Sequence, residues 1–475
     1  MLVESTRNTH VVCSYDSGTL NDSLIEYLIT EDLDAIRLIA DTGEIGEILS
    51  FCRKLRNAFP ATKRPVPIML DILSRPQATV QGLAAPRELA FGERLKVGPP
   101  GTQADLQLIC EDWARLFTPG AQVFLGFGYV VLKVAEIAPG AVTLECVQGG
   151  VVYPDMDVFV PSTQQAPRLS DLAEQDLEAI VKHQIDYVVV PAFETVDDLT
   201  LLKSKFEKYG SSAPWIILKI NAARVVKHLD ELLPHVRGVL ISRLAIAMSM
   251  GEPAQVPMLT KEVIQTSNDQ AKIVLVASEM LASMRHAATP TRAEVSDIAN
   301  AVMDGADGVV LSEDLPYGTY ARRGLLIAKK TIEDIEQSSA GKSPNWIKRK
   351  PVVDDELAAV TYTAYRAAQR NHAKAIVCIT KTGNTALHLA SFRPVIPIIA
   401  VSLSEDVQRR MSLIRGVTGF YLDSSPGIEQ VLPLINQKLV TESWLKKGDK
   451  IVFVSVTISS VGQEASNLFT VQTLY

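Results

Sequence analysis

The chain reads as an α/β protein: a (β/α)8 TIM barrel, split by a small β-rich insertion and followed by a C-terminal α/β domain. Three observations predict this. Strand-like and helix-like runs alternate in two separate blocks, the rhythm of parallel strands with helices outside. The rhythm breaks once, after Asp71, into short β-like runs. The length of 475 residues exceeds the ~250–300 that one compact core holds.

The first block offers strands at His10 to Cys13, Asp34 to Ile39 and Val66 to Asp71, with helices at Leu20 to Ile29 and Gly46 to Phe59. The insertion shows β-like runs at Ala121 to Leu125, Tyr129 to Val134 and Ala141 to Val147. Turn signals such as Pro119-Gly120 and Pro139-Gly140 separate them. Alternation resumes from Asp171. Strands are expected at Tyr187 to Val190, Trp215 to Ile220, Gly238 to Ile241, Ile273 to Val276 and Gly308 to Leu311. Helices are expected at Thr195 to Lys208 and Thr291 to Met303. Both blocks together supply about eight strands, the number that closes a barrel. An open doubly wound sheet is the competing arrangement; no GxGxxG follows the first strand to support it. A Ser-, Gly- and Lys-rich stretch, Gln337 to Pro351, reads as a linker. A helix at Asp355 to Arg370 and strands at Ala375 to Thr380, Ile396 to Val401 and Ile451 to Val456 follow. The expected division is 1–72 and 160–340 for the barrel, 73–159 for the insertion and 341–475 for the C-terminal domain.

Composition excludes several classes. Lys and Arg number 47 against 54 Asp and Glu, a net charge of −7, with no basic tail or patch-like run. A nucleic-acid binder needs clustered cations, so none is expected as a partner. No apolar stretch is long enough to span a bilayer, and Met1 to His10 lacks a signal-peptide core. Five scattered cysteines form no CxxC pair, which signals neither a zinc site nor a disulfide framework. The expectation is a cytoplasmic protein with no membrane partner.

Four stretches carry a resemblance. Residues 290–313, PTRAEVSDIANAVMDGADGVVLSE, closely resemble the PTRAE block of pyruvate kinases. Val276 to Leu281 resembles the family's T-A-T-Q-M-L strand, and Ile217 to Ile220 resembles the stretch that places its catalytic lysine. Thr380 to Thr385 resembles its effector-phosphate loop. The resemblance implies a barrel, an inserted small β-barrel domain and an effector-type C domain. It also implies a homotetramer, Mg and K as cofactors if the activity is retained, and phosphate transfer from phosphoenolpyruvate to ADP.

Carried over residue by residue, the resemblance gives Arg37 the phosphate-contacting role, since Ala35 to Leu38 matches the family's A-x-R-L run. Lys219 takes the charge-stabilising role, and Ser278 keeps the hydroxyl near the proton-transfer position. Asp71 matches an aspartate of the monovalent-cation site. The plain alternatives are a rim salt bridge for Arg37 and a snorkelling lysine for Lys219. The divalent-metal ligands are replaced: Asn221 stands where a glutamate is expected and Ala245 where the A-R-G-D aspartate is expected. The nucleotide-side segment becomes Leu73 to Ala78, and the insertion's D-D-G turn becomes Gly126-Phe127-Gly128. Arg292, Glu294, Asn300, Asp304 and Gly305 survive as marks of the fold.

In the C-terminal domain, Thr380, Lys381, Thr382, Gly383, Asn384 and Thr385 lie between a strand and a helix. Backbone N–H groups there suit a phosphate; a plain N-capped turn is the alternative. The family's second effector segment is replaced by Val456 to Gln463. The readings are therefore a pseudoenzyme with a structural, scaffolding or regulatory role, an active phosphotransferase, a phosphometabolite-binding module, or a subunit of a larger assembly.

Overall fold

A computed structural model of the chain describes residues 7–474, apart from 32, 41–44, 59–64, 73–76, 111–112, 127, 155, 162–168, 170–171, 194, 211, 251–252, 313–314, 339–355, 423–427 and 457–466. The expected linker falls mostly outside these residues, as do most of the replaced nucleotide-side segment and the replaced second effector segment.

Eight parallel strands close into a barrel: His10–Asp16, Ala35–Ala40, Ile68–Ile72, Tyr187–Pro191, Trp215–Ile220, Gly238–Ser242, Ile273–Ala277 and Gly308–Val310. The last pairs with the first, His10 opposite Gly308. The competing open sheet is thereby excluded. Side chains alternate between the two faces of each strand. Ile36, Leu38, Leu70, Leu218 and Ile241 face the helices in one apolar cluster. Residues of the other parity, Val12, Met69, Val189, Ile217, Leu240 and Leu275, fill the interior.

The insertion is itself a closed barrel of seven strands with a separate two-stranded ribbon. Its three expected strands are observed as Gln122–Leu125, Val130–Ala138 and Ala141–Gln148. Ala78–Gln81, Arg94–Gly98, Leu106–Cys110 and Asp157–Phe159 complete it. They were not expected, because their outward positions carry Arg94, Lys96, Gln107 and Asp157, which break the apolar run.

The C-terminal domain has a five-stranded sheet in the order Val417–Tyr421, Ile398–Ser402, Ala375–Ile379, Lys450–Val456, Asn467–Thr473. The last strand runs antiparallel. This domain closes the N-terminal end of the barrel. One apolar cluster runs from Tyr187, Trp215 and Ile273 into Ala364, Leu387, Met411 and Ile414. Buried ion pairs cross the seam: Arg393 to Asp307 at 3.0 Å and Arg415 to Glu336 at 3.1 Å. No described helix is long and apolar enough to cross a membrane. The five cysteines are all free thiols.

Candidate functional site

Three barrel strands each carry one charged residue in an otherwise apolar run: Arg37, Asp71 and Lys219. All three have the parity of the barrel interior; Asp71 and Lys219 sit toward the C-terminal ends of their strands, and Arg37 sits at mid-strand, in register with Met69. Arg37 is 2% exposed and Asp71 fully buried. Arg37 donates from Nε to Asp71 Oδ2 at 2.8 Å and again from Nη2. Its Nη1 donates to Ser14 Oγ at 3.3 Å. Lys219 Nζ donates to the same Asp71 oxygen at 3.3 Å and keeps some solvent exposure. Two cations thus converge on one carboxylate near the mouth where barrel enzymes bind substrate. Arg37 is in a buried ion pair and not a rim one, and Asp71 holds both cations in place.

Ser278 follows the Ile273–Ala277 strand and lies 3.3 Å, Oγ to Oγ, from Ser242 at the end of the neighbouring strand. Its φ is +80°, and Glu279 and Leu281 also have positive φ. Non-glycine residues there cost about 1–3 kcal/mol each and need external support. Arg243 supplies it, donating to Ser278 O at 2.6 Å and Ala277 O at 3.3 Å while pairing with Asp297 at 2.9 Å. In the sequence Arg243 stands out only as the arginine of the A-R-G-D run that aligns Ala245; Ser14 and Ser242 were not singled out. Their signal was position alone, at or beside the C-terminal ends of barrel strands.

Asn221 comes directly after the Trp215–Ile220 strand and Ala245 lies in the first turn of the helix Arg243–Met250. Mg²⁺ is a hard cation that takes oxygen donors, usually one or two carboxylates. Position 221 offers one neutral amide oxygen and position 245 a methyl group. The buried carboxylate of the mouth, Asp71, accepts from two cations. Among the described residues, no three His, Cys, Asp or Glu gather as a metal site. The donor set does not fit the family's divalent ion. Asp71, in the same contacts, does not present a carboxylate free of cations to a monovalent ion.

The PTRAE acid has a local explanation. Glu294 closes a capping box with Thr291 at the start of the helix Arg292–Asp304. It also accepts from Ser283 N at 2.7 Å and from Ser283 Oγ. Burial works to raise its pKa, but these hydrogen bonds outweigh it and hold the carboxyl below its ordinary range.

The phosphate-type loop lies at the opposite end of the barrel. Thr380 and Thr385 are buried; Lys381 and Thr382 are exposed. Thr380 Oγ1 accepts from Gly383 N at 2.9 Å. Gly383 has φ +81° and packs on Trp215, and Asn384 accepts from Arg237. The helix after the loop is Asn384–Ser391, so Asn384 and Thr385 belong to its first turn.

Comparison with known proteins gives a consistent picture. A family model described as "Pyruvate kinase, barrel domain" matches residues 6–325, and one described as "Pyruvate kinase, alpha/beta domain" matches residues 358–471. The protein named pyruvate kinase 2 from Synechocystis sp. is 28% identical over 468 residues, covering 96% of this chain and 77% of the relative. The pyruvate kinase of Mycobacterium tuberculosis is 25% identical over 456 residues, 95% of each chain. That of Thermococcus litoralis is 26% identical over 442 residues, covering 90% of this chain and 92% of the relative. Two domain matches in the expected order, on a closed eight-stranded barrel with its insertion, place this chain in the pyruvate kinase family.

Proposed function

We propose that this chain binds a phosphate-bearing carboxylic acid at Arg37 and Lys219 without efficient phosphoryl transfer, in a regulatory, scaffolding or structural role. One observation carries the reading: Arg37 and Lys219 meet on Asp71 inside the barrel, while Asn221 and Ala245 stand where the resemblance expects the divalent-metal acids. Phosphoryl transfer is mostly positioning and charge neutralisation. The metal contributes several kcal/mol to it, so losing its two carboxylates lowers the rate by orders of magnitude. The guanidinium fork and the ammonium still match a phosphate and a carboxylate on one small ligand.

A second reading, an active pyruvate kinase making pyruvate and ATP with Mg and K, has the comparisons on its side. They cover nearly the whole chain and name relatives by that activity. The side chains at 221 and 245 oppose it. A lactate-dehydrogenase-coupled assay with phosphoenolpyruvate, ADP, K⁺ and a Mg²⁺ and Mn²⁺ titration separates the two. Turnover in the ordinary range of ~1–10³ s⁻¹, abolished by Lys219→Met, establishes the second reading and sinks the first. A cytoplasmic homotetramer built through barrel and C-domain contacts accompanies either reading; light scattering coupled to gel filtration measures the assembly.

A further inference from the structure

At the closed end of the barrel, Arg237 and Lys272 stand side by side. Each immediately precedes a barrel strand, and Ile273 N donates to Arg237 O at 3.1 Å. Lys272 Nζ donates to Val236 O at 3.0 Å. The Arg237 guanidinium lies 5.3 Å from the Trp215 ring centre and donates to Asn384 of the C-terminal domain. Both cations are half-buried. Among the described residues neither has a carboxylate partner. The nearby acids are spent elsewhere: Asp186 on Arg56 and Arg409, and Asp406 on Arg409 and Ser212. Arg410 adds a third cation that acts on Arg237. Burial, then repulsion from Arg237 and Lys203, pushes the Lys272 ammonium down to about 8. Withdrawing like charges from water without counter-charge is unfavourable unless something anionic is supplied.

We propose that Arg237 and Lys272 form the barrel half of an anion site at the seam with the C-terminal domain, beside Asn384, for a phosphate group. A phosphate has enough oxygens to accept from a guanidinium fork and an ammonium together. The resemblance places one phosphate of the family's effector on the Thr380 to Thr385 loop; here the charge comes from the barrel, so the ligand joins two domains. The site lies at the other end of the barrel from Arg37 and Lys219 and stands or falls separately from the function proposed above.

The test is thermal unfolding of the full chain with inorganic phosphate and with pyrophosphate, ionic strength held constant with NaCl. The expected result is a saturable rise in Tm. Arg237→Gln and Lys272→Gln each weaken the apparent affinity about tenfold or more, the loss of one charge-assisted hydrogen bond. Lys272→Gln leaves the Asn384 contact untouched, so it reads the charge where Arg237→Gln disturbs the seam. Lys219→Met retains the rise. No saturable rise in the wild type overturns the proposal. So does a rise kept in either Gln variant, which marks a general salt effect, and so does a rise lost in Lys219→Met, which places the anion at the mouth.

Discussion

The two ends of the barrel treat charge in opposite ways. At the mouth, Arg37 and Lys219 share the buried Asp71. At the floor, Arg237 and Lys272 have no carboxylate among the described residues and repel one another. The mouth is preorganised, its cations locked by their own counter-ion. The floor carries two like charges that the docked C-terminal domain helps to withdraw from water, with Arg237 donating to Asn384. The resemblance puts the family's metal acids at the mouth, and positions 221 and 245 hold Asn221 and Ala245 there. The Arg37–Asp71 pair is buried on both sides, and such a pair is costly to break from one side.

That contrast can be broken in graded ways. Asp71→Ala should act most strongly. It removes the carboxylate to which the 2%-exposed Arg37 donates twice, and the expected loss is ~3–5 kcal/mol, read as a fall in the urea midpoint; a change under ~1 kcal/mol would show that Asp71 does not anchor the mouth. Gly383→Ala comes next. Its Cβ would stand 2.5 Å from the Trp215 ring, and the backbone has φ +81°. A cost of about 1–3 kcal/mol is expected, and an unchanged midpoint would mean the loop does not bear on the barrel floor. The pH dependence of Lys272 is the smallest effect. Its folded pKa of about 8 lies below the ordinary ~10.4. Between those values the unfolded chain holds a proton that the folded chain has released, so stability rises with pH through that window. Comparing wild type with Lys272→Met from pH 7 to 10 should show the rise in the wild type alone; parallel curves would contradict the burial of this charge.

The barrel was legible because each strand is a short apolar run between turn signals. Arg37, Asp71 and Lys219 were legible as single charges inside such runs. The insertion's remaining strands were hidden by outward residues such as Arg94 and Lys96. Val417–Tyr421 and Asn467–Thr473 escaped notice because Thr418, Gly419, Thr470 and Gln472 interrupt their apolar pattern. Ser14 and Ser242 carry no signal until closure of the barrel brings them to the mouth. Arg237 and Lys272 were invisible as a pair with Asn384, which lies 147 residues from Arg237; only docking of the C-terminal domain brings them together. Arg243 matched a family motif, but its grip on the Ser278 loop depends on the left-handed backbone there.

The most direct test of the account is a metal-titrated coupled assay on the wild type beside the double variant Asn221→Glu, Ala245→Asp. The account predicts no wild-type turnover above background at saturating Mg²⁺ or Mn²⁺, with phosphoenolpyruvate still raising Tm in a manner that Lys219→Met abolishes. Wild-type turnover in the ordinary enzymatic range, unimproved by restoring the two carboxylates, would contradict it.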